Sequence, residues 1–161
     1  MMMISEKGLR LIEDIEGNES HMYLDSGGAP TIGIGHLLTK DERLSGKITI
    51  KYGNPHTNEV VKYSEGLSLK HIYALLRIDL VPVESMLKVA VKVALDQNQY
   101  DALCSFVFNI GIIAFVNSTL LKRLNAGAYG DVPAQMERWV MDNGKRVQGL
   151  VNRRVKEISM W

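Results

Sequence analysis

Two carboxylic acids and one hydroxyl stand out in the first third of the 161-residue chain: Glu16, Asp25 and Thr31. A helix turns about 100° per residue. Over residues 6–16, a projection from Leu9 puts Glu16 at about 340°, between Leu9 and Ile12 and inside the apolar arc. Glu13 falls just outside that arc, and Asp14 points away. A carboxyl on the buried side of a last helical turn is desolvated and meets the negative end of the helix dipole, and both effects disfavour ionisation. Such a group can hold a proton and donate it. Asp25 precedes Ser26-Gly27-Gly28, a turn whose amides and surrounding water keep a carboxylate charged, and Thr31 can return across that turn with its hydroxyl alongside. One protonated and one ionised carboxyl are what cleavage of a glycosidic bond requires. Surface helices and turns also carry many acids, so the pattern alone favours a solvated pair over a catalytic one.

Other chemistries find less support. Gly33-Ile34-Gly35 lacks a third glycine, and no Gly-Lys-Ser/Thr follows, which argues against a nucleotide loop. His21, His36, His56 and His71 have neither metal-ligand spacing nor cysteine company, so no metal and no cofactor is expected. Cys104 is the single cysteine, which excludes an internal disulfide and suits a buried thiol. Phe106, Phe108 and Phe115 read first as core. The formal net charge of +1 gives no footing for nucleic acid. Charge is nevertheless uneven, net −2 over residues 1–80 and net +3 over residues 81–161. Lys145, Arg146, Arg153, Arg154 and Lys156 gather near the end, where a solvated helix face is favoured over a surface for an anionic polymer.

The elements that must position these groups follow from periodicity. Ser5 can cap a helix over Glu6–Glu16 that stops at Gly17. Tyr23–Gly35 reads as a hairpin turning at Ser26-Gly27-Gly28, and residues 48–63 as a second hairpin turning at Gly53-Asn54-Pro55. From Ser68 onward, helical spacing replaces alternation and the remainder reads as entirely helical. Pro82 should kink or divide the first long helix, Asp96 caps another through Phe108, and Asn117 or Ser118 caps a third that stops at Gly127. In the terminal segment Val147, Val151, Val155 and Ile158 form a stripe expected to pack, leaving Arg153, Arg154 and Lys156 to water. A membrane-active face is the alternative there. The class is α+β and two-lobed: one domain over residues 1–161, with a mixed lobe to about residue 66 and a helical lobe over about residues 67–161. With 46% hydrophobic and 23% charged residues, one compact core is affordable. No stretch is apolar for long enough to insert stably in a membrane. Charged Glu6, Lys7 and Arg10 occupy the place of a secretory apolar run, so the expected home is the cytoplasm.

Five segments, in order, resemble the phage lysozymes of glycoside hydrolase family 24: Glu16-Gly17 with Tyr23-Leu24-Asp25, Gly28 and Thr31-Ile32-Gly33-Ile34-Gly35-His36; Gln97–Leu103; Ser105–Gly111; Asn117–Leu121; and Gly149–Arg154. The resemblance spans nearly the whole chain. It implies a lysozyme-like fold and cofactor-free cleavage of the β-1,4 bond between N-acetylmuramic acid and N-acetylglucosamine in peptidoglycan, which lyses the host. It implies Glu16 as general acid, Asp25 as the carboxylate at the opposite face of the sugar, and Thr31 as holder of the attacking water, a geometry that inverts the anomeric centre. Leu37, Phe108 and Ser118 would line the saccharide cleft, although each also has a plain packing or capping explanation. His36 would pair with Asp79 and join the two lobes.

The same resemblance implies an enzyme that waits for a holin-type pore, and a monomer is expected. Residues 46–63 look enlarged against many relatives, and Gln148 stands where proline is expected. A lytic transglycosylase, which also uses a glutamate, is the nearest rival, and Asp25 with Thr31 argues against it. A non-catalytic wall-binding module would suit the basic end but not the Glu, Asp and Thr set.

Overall fold

The computed structural model describes residues 2–53 and 57–161. The proposed Gly53-Asn54-Pro55 turn therefore lies partly outside the described residues. The fold is α+β with a small sheet lobe and a larger helical lobe, and it separates into two compact units: residues 12–81, and residues up to Leu11 together with Pro82–Trp161. The division falls within helices rather than near residue 66. The first residues belong with the helical unit for a physical reason, because the buried Asp101 carboxylate accepts from the Ser5 amide at 3.0 Å and from the Ser5 hydroxyl. Ser5 in turn caps α1 (Glu6–Glu16) by accepting from the Gly8 amide at 3.2 Å.

In the sheet unit, β1 (Glu19–Leu24), β2 (Pro30–Gly33) and β3 (His36–Leu37) form an antiparallel sheet in the order β1-β2-β3. Ile32 and Ile34 are buried and anchor it. A short helix not foreseen from the sequence, α2 (Lys40–Ser45), follows with a reciprocal capping box between Thr39 and Glu42. The expected second hairpin is β4 (Lys47–Tyr52) paired with β5 (Thr57–Lys62), whose alternation buries Ile48 and Ile50 and exposes Lys47, Thr49 and Lys51. α3 (Leu69–Ala90) then continues through Pro82, so of the expected kink or division the division does not occur. Pro82 is exposed, so the carbonyl that loses its helical donor can turn to water, while buried Leu80 and Val83 hold the helix on either side.

The helical unit contains α4 (Gln97–Ile110), opened by an Asp96–Gln99 capping box, then α5 (Ile112–Val116), α6 (Thr119–Asn125), α7 (Val132–Met136) and α8 (Gln148–Ile158). It is not wholly helical. β6 (Met141–Asp142) and β7 (Lys145–Arg146) form a minimal hairpin, which corrects the expectation that strands end with residue 65. Its turn is Asn143-Gly144, with φ of 48° and 75°, the pair of positive values that a two-residue hairpin demands and that Asn-Gly tolerates best.

α8 departs from the expected face, although Val151 and Ile158 of the expected stripe are half-buried. Val155 is 62% exposed and Val147 is exposed as well, while Arg153, Arg154 and Glu157 are buried. Glu157 accepts from Arg153 Nε at 3.1 Å, from the Ser105 hydroxyl at 2.7 Å, and from Arg154 Nη1. Arg153 also donates to the Ser105 carbonyl, and Arg154 donates to the Trp139 carbonyl and to Asn109. The Arg154 guanidinium lies 4.8 Å from the Phe106 ring centroid. Burial pulls the Arg154 pKa down and Glu157 opposes that pull. Two guanidiniums and one carboxylate, spaced i, i+3 and i, i+4, therefore outcompete the valine stripe for the interior, because α4 supplies their hydrogen-bond partners. Gln148 takes the first helical position in place of proline and donates to Asn152 at 2.8 Å.

This arrangement predicts that Glu157→Gln lowers stability by about 3–5 kcal/mol, since it strands two buried cations. Val155→Ala should shift stability by no more than about 0.5 kcal/mol. Denaturant titration of both variants checks the order, and a costly Val155→Ala with a neutral Glu157→Gln would contradict the burial described.

Candidate active site

Glu16 is the last residue of α1, and the helix is fastened at its end. The Gly17 amide donates to the Glu13 carbonyl at 2.8 Å, and the Glu13 carboxylate accepts from Asn18 Nδ2 at 2.7 Å and from the Tyr73 hydroxyl. Glu16 itself is half-buried. Its carboxyl lies against Gly35, where an added Cβ would stand 3.2 Å from Oε2 and 3.3 Å from Cδ. Gly35 also holds φ of 70°, so the backbone favours glycine there and any side chain would crowd the Glu16 carboxyl.

Asp25 follows β1 in a tight turn. Its Oδ1 accepts from the Gly27 amide at 2.9 Å and the Ala29 amide at 2.8 Å. Among the described residues Oδ2 has no hydrogen-bond partner. Two amides on one oxygen fix the orientation of the carboxyl group in the turn. The Ala29 carbonyl accepts from the Asp25 amide at 3.0 Å and from the Thr31 hydroxyl at 2.9 Å, so one peptide fixes both residues. Thr31 is buried on β2, and with its proton committed to Ala29 its oxygen faces any further partner as an acceptor.

Tyr23, which sequence reasoning left without a role, connects these groups. It is the cross-strand partner of Thr31. Burial raises its phenol pKa, and the charges of Glu16, Glu19 and Asp25 raise it further. Both Glu16 and Asp25 therefore lie within electrostatic reach of one phenol. Its position opposite Thr31 and two residues before Asp25 is the signal that could have identified it.

Of the three expected saccharide contacts, Leu37 pairs with Thr31 across β2 and β3 and is 57% exposed, so it flanks the same strand. Phe108, half-buried on α4, and Ser118 belong to the helical unit. The buried Ser118 hydroxyl accepts from the Leu121 amide at 3.1 Å and donates to the Phe115 carbonyl at 2.6 Å, which is the capping role. Cys104 is buried and its thiol pKa is pushed up, first by that burial and then by Glu84 and Asp101. Among the described residues no group of His, Cys, Asp or Glu side chains is arranged to hold a metal ion, and no helix is long and apolar enough to cross a membrane.

His36, next to Gly35, has carboxylates at both ring nitrogens. Nδ1 meets Asp79 Oδ2 at 2.9 Å, and Nε2 meets Glu42 Oε2 at 3.1 Å. Asp79 and His36 sit in the same compact unit, so the pair ties β3 to α3 inside the sheet unit, which corrects the expectation that it joins two lobes. Glu42 was not foreseen because it lies on the unforeseen α2. Burial alone would lower the His36 pKa, but the bonds and charges of Asp79 and then Glu42 outweigh it and the net shift is upward. Burial likewise tends to raise Glu42, and the Thr39 amide with His36 brings it below the usual value.

A family model for phage lysozymes matches residues 13–157. The endolysin of Acyrthosiphon pisum secondary endosymbiont phage 1 is 39% identical over 99% of this chain and 98% of its own length, and that of Salmonella phage P22 is 37% identical over 100% and 99%. A solved endolysin from an Escherichia coli O157:H7 phage superposes with a TM-score of 0.78 at 33% identity, covering 99% of this chain and 92% of that one. The chain belongs to the phage lysozyme family. It is an enzyme of the lysozyme, or muramidase, class.

His36 gains its partners only on folding, and its pKa rises. The stability it contributes is therefore fully present below the ordinary imidazole pKa and is lost as pH rises through the raised value. Asp79→Asn should cost most in mildly acidic solution and least in alkaline solution. Denaturant melts between about pH 5 and pH 9 check this, and a penalty independent of pH would exclude the ion pair as its source.

Proposed function

We propose that this enzyme hydrolyses the β-1,4 bond between N-acetylmuramic acid and N-acetylglucosamine in peptidoglycan, with Glu16 as general acid and Asp25 and Thr31 as the pair that holds and activates water. The observation that carries this reading is the difference between the two carboxyls: Glu16 is half-buried against Gly35, whereas Asp25 Oδ1 accepts two amide hydrogen bonds. Glu16 gives its proton to the leaving glycosidic oxygen. A water molecule donates one hydrogen to Thr31 Oγ1 and the other to Asp25 Oδ2, which aims its lone pair at the anomeric carbon. As the carbon–oxygen bond forms, the water proton passes to Asp25, and the anomeric centre inverts. Thr31 serves as a pure acceptor because its own proton is engaged by Ala29. In this reading the enzyme works as a monomer on the wall, after a holin-type pore has opened the membrane.

Glu16→Gln keeps the side chain's shape and removes the acid, so it should lower wall clearing by about 10² to 10⁴ with the fold intact. Turbidity of a peptidoglycan suspension reads the loss, and circular dichroism reads the fold. A folded Glu16→Gln variant with near wild-type rate would remove Glu16 from the mechanism. Mass spectrometry of the wild-type digest decides between water and internal closure: hydrolysis gives reducing ends, and a transglycosylase gives anhydro products lighter by one water.

A further inference from the structure

The β4–β5 hairpin sorts its charges by face. Residues 47, 49 and 51 of β4 and their partners 62, 60 and 58 of β5 share the outward face: Lys47 opposite Lys62, Thr49 opposite Val60, and Lys51 opposite Asn58. All six are exposed. The other face carries Ile48, Ile50 and Tyr52, with Glu59 the one acid on either strand. Glu59 is occupied on that side, accepting from the Tyr52 hydroxyl at 3.0 Å and standing 3.2 Å from His71 Nε2, while Lys70 lies 4.5 Å from the Tyr52 ring centroid. The inner face is thus clasped to the start of α3, and the outer face is left with three cations and no anion. Among the described residues none of the three lysines has a carboxylate partner. Like charges directly across a ladder are destabilising, and a hairpin that needed only solubility would have gained by placing Glu59 opposite a lysine.

We infer that this lysine face is a second, non-catalytic contact for the wall polymer, engaging the carboxylates of its peptide stems; the inference rests on the muramidase reading. Each exposed lysine attracts one carboxylate only weakly, so the surface has value only for a polyvalent anion. Lys47 and Lys51 stand about 13 Å apart along the strand, and Lys62 lies beside Lys47, which suits charges repeated along a flexible polymer better than a small anion. The face holds no arginine, the side chain that grips phosphate through paired bonds, and lysine's mobile point charges match carboxylates on flexible stems.

The test replaces Lys47, Lys51 and Lys62 together with glutamine, and thermal melting verifies the fold. The expected result at low salt is a KM for insoluble peptidoglycan raised about 3- to 30-fold with kcat unchanged. The difference from wild type should shrink as salt rises. Converting the stem carboxylates to neutral amides should weaken the wild type by a similar factor and the triple variant hardly further, because both changes remove the same interaction. Equal KM for variant and wild type on native wall overturns the inference, as does a full additional loss when the variant meets amidated wall. Sedimentation with phosphatidylglycerol vesicles is the third arm: binding that depends on the three lysines there, with none on the wall, assigns the face to a membrane and also overturns it. If the wild type cleaves no wall but is still pulled down by it through these lysines, the muramidase reading fails and the lysine contact stands.

Discussion

At Gly35 the backbone holds a left-handed φ and packs so closely on the Glu16 carboxyl that an added Cβ would press it aside by a few tenths of an ångström. That contact sets two requirements for the sheet unit. α1 must end at Glu16 with its last turn held, which the Gly17 amide and the doubly engaged Glu13 carboxylate accomplish. The chain after β2 must present bare backbone to the carboxyl and then be gripped firmly, which falls to His36 between Asp79 and Glu42. Since the histidine follows Gly35 directly, the stability device is one peptide from the backbone that touches the proposed acid. The turn holding Asp25 is tied into the same sheet through Ala29, so the second carboxyl inherits the rigidity of the first.

The helical unit solves a different problem, the burial of charge. Arg153, Arg154 and Glu157 are almost wholly enclosed, and such groups are tolerable only when every donor and acceptor is met. Ser105, Asn109 and the Trp139 carbonyl meet them, and among the described residues no buried side-chain nitrogen or oxygen lacks a partner. The network joins α8 to α4 and to the residues just after α7. Its contribution is directional, since hydrogen bonds fix the rotation of α8 in a way that a stripe of valines would leave looser.

Much of this was legible in the sequence because short-range rules decide it. The Ser5 cap, the Asp96 capping box and the Ser118 cap follow from side chains within three residues of the amides they bind. The glycine-rich hairpin placed Asp25 and Thr31 in one turn, and the α1 projection set Glu16 apart from Asp14. Legibility ended where partners lie far along the chain. Nothing local marks Arg153 and Arg154 as interior, because their burial depends on Ser105 and Asn109, more than 40 positions away; a helical wheel therefore chose the valines. Glu42 was missed along with α2, six residues too short for periodicity to register. The β6–β7 hairpin is the opposite case: Asn143-Gly144 is a strong local signal, and the reading of the remainder as entirely helical passes over it.

Charge shows the same division between what is near in sequence and what is near in space. The cations that cluster most densely along the chain, around residues 145–156, include two that are consumed inside the helical unit and never meet a partner from solution. Lys47, Lys51 and Lys62 are scattered over sixteen positions and look unremarkable in a list, but strand pairing brings them to one exposed face and turns the only acid away. A linear tally of charge would single out the end of the chain, although two of the cations there are buried and paired. The period of the element carrying the charges decides instead: on a strand every second side chain shares a face, and antiparallel pairing doubles that row, so three lysines become one surface.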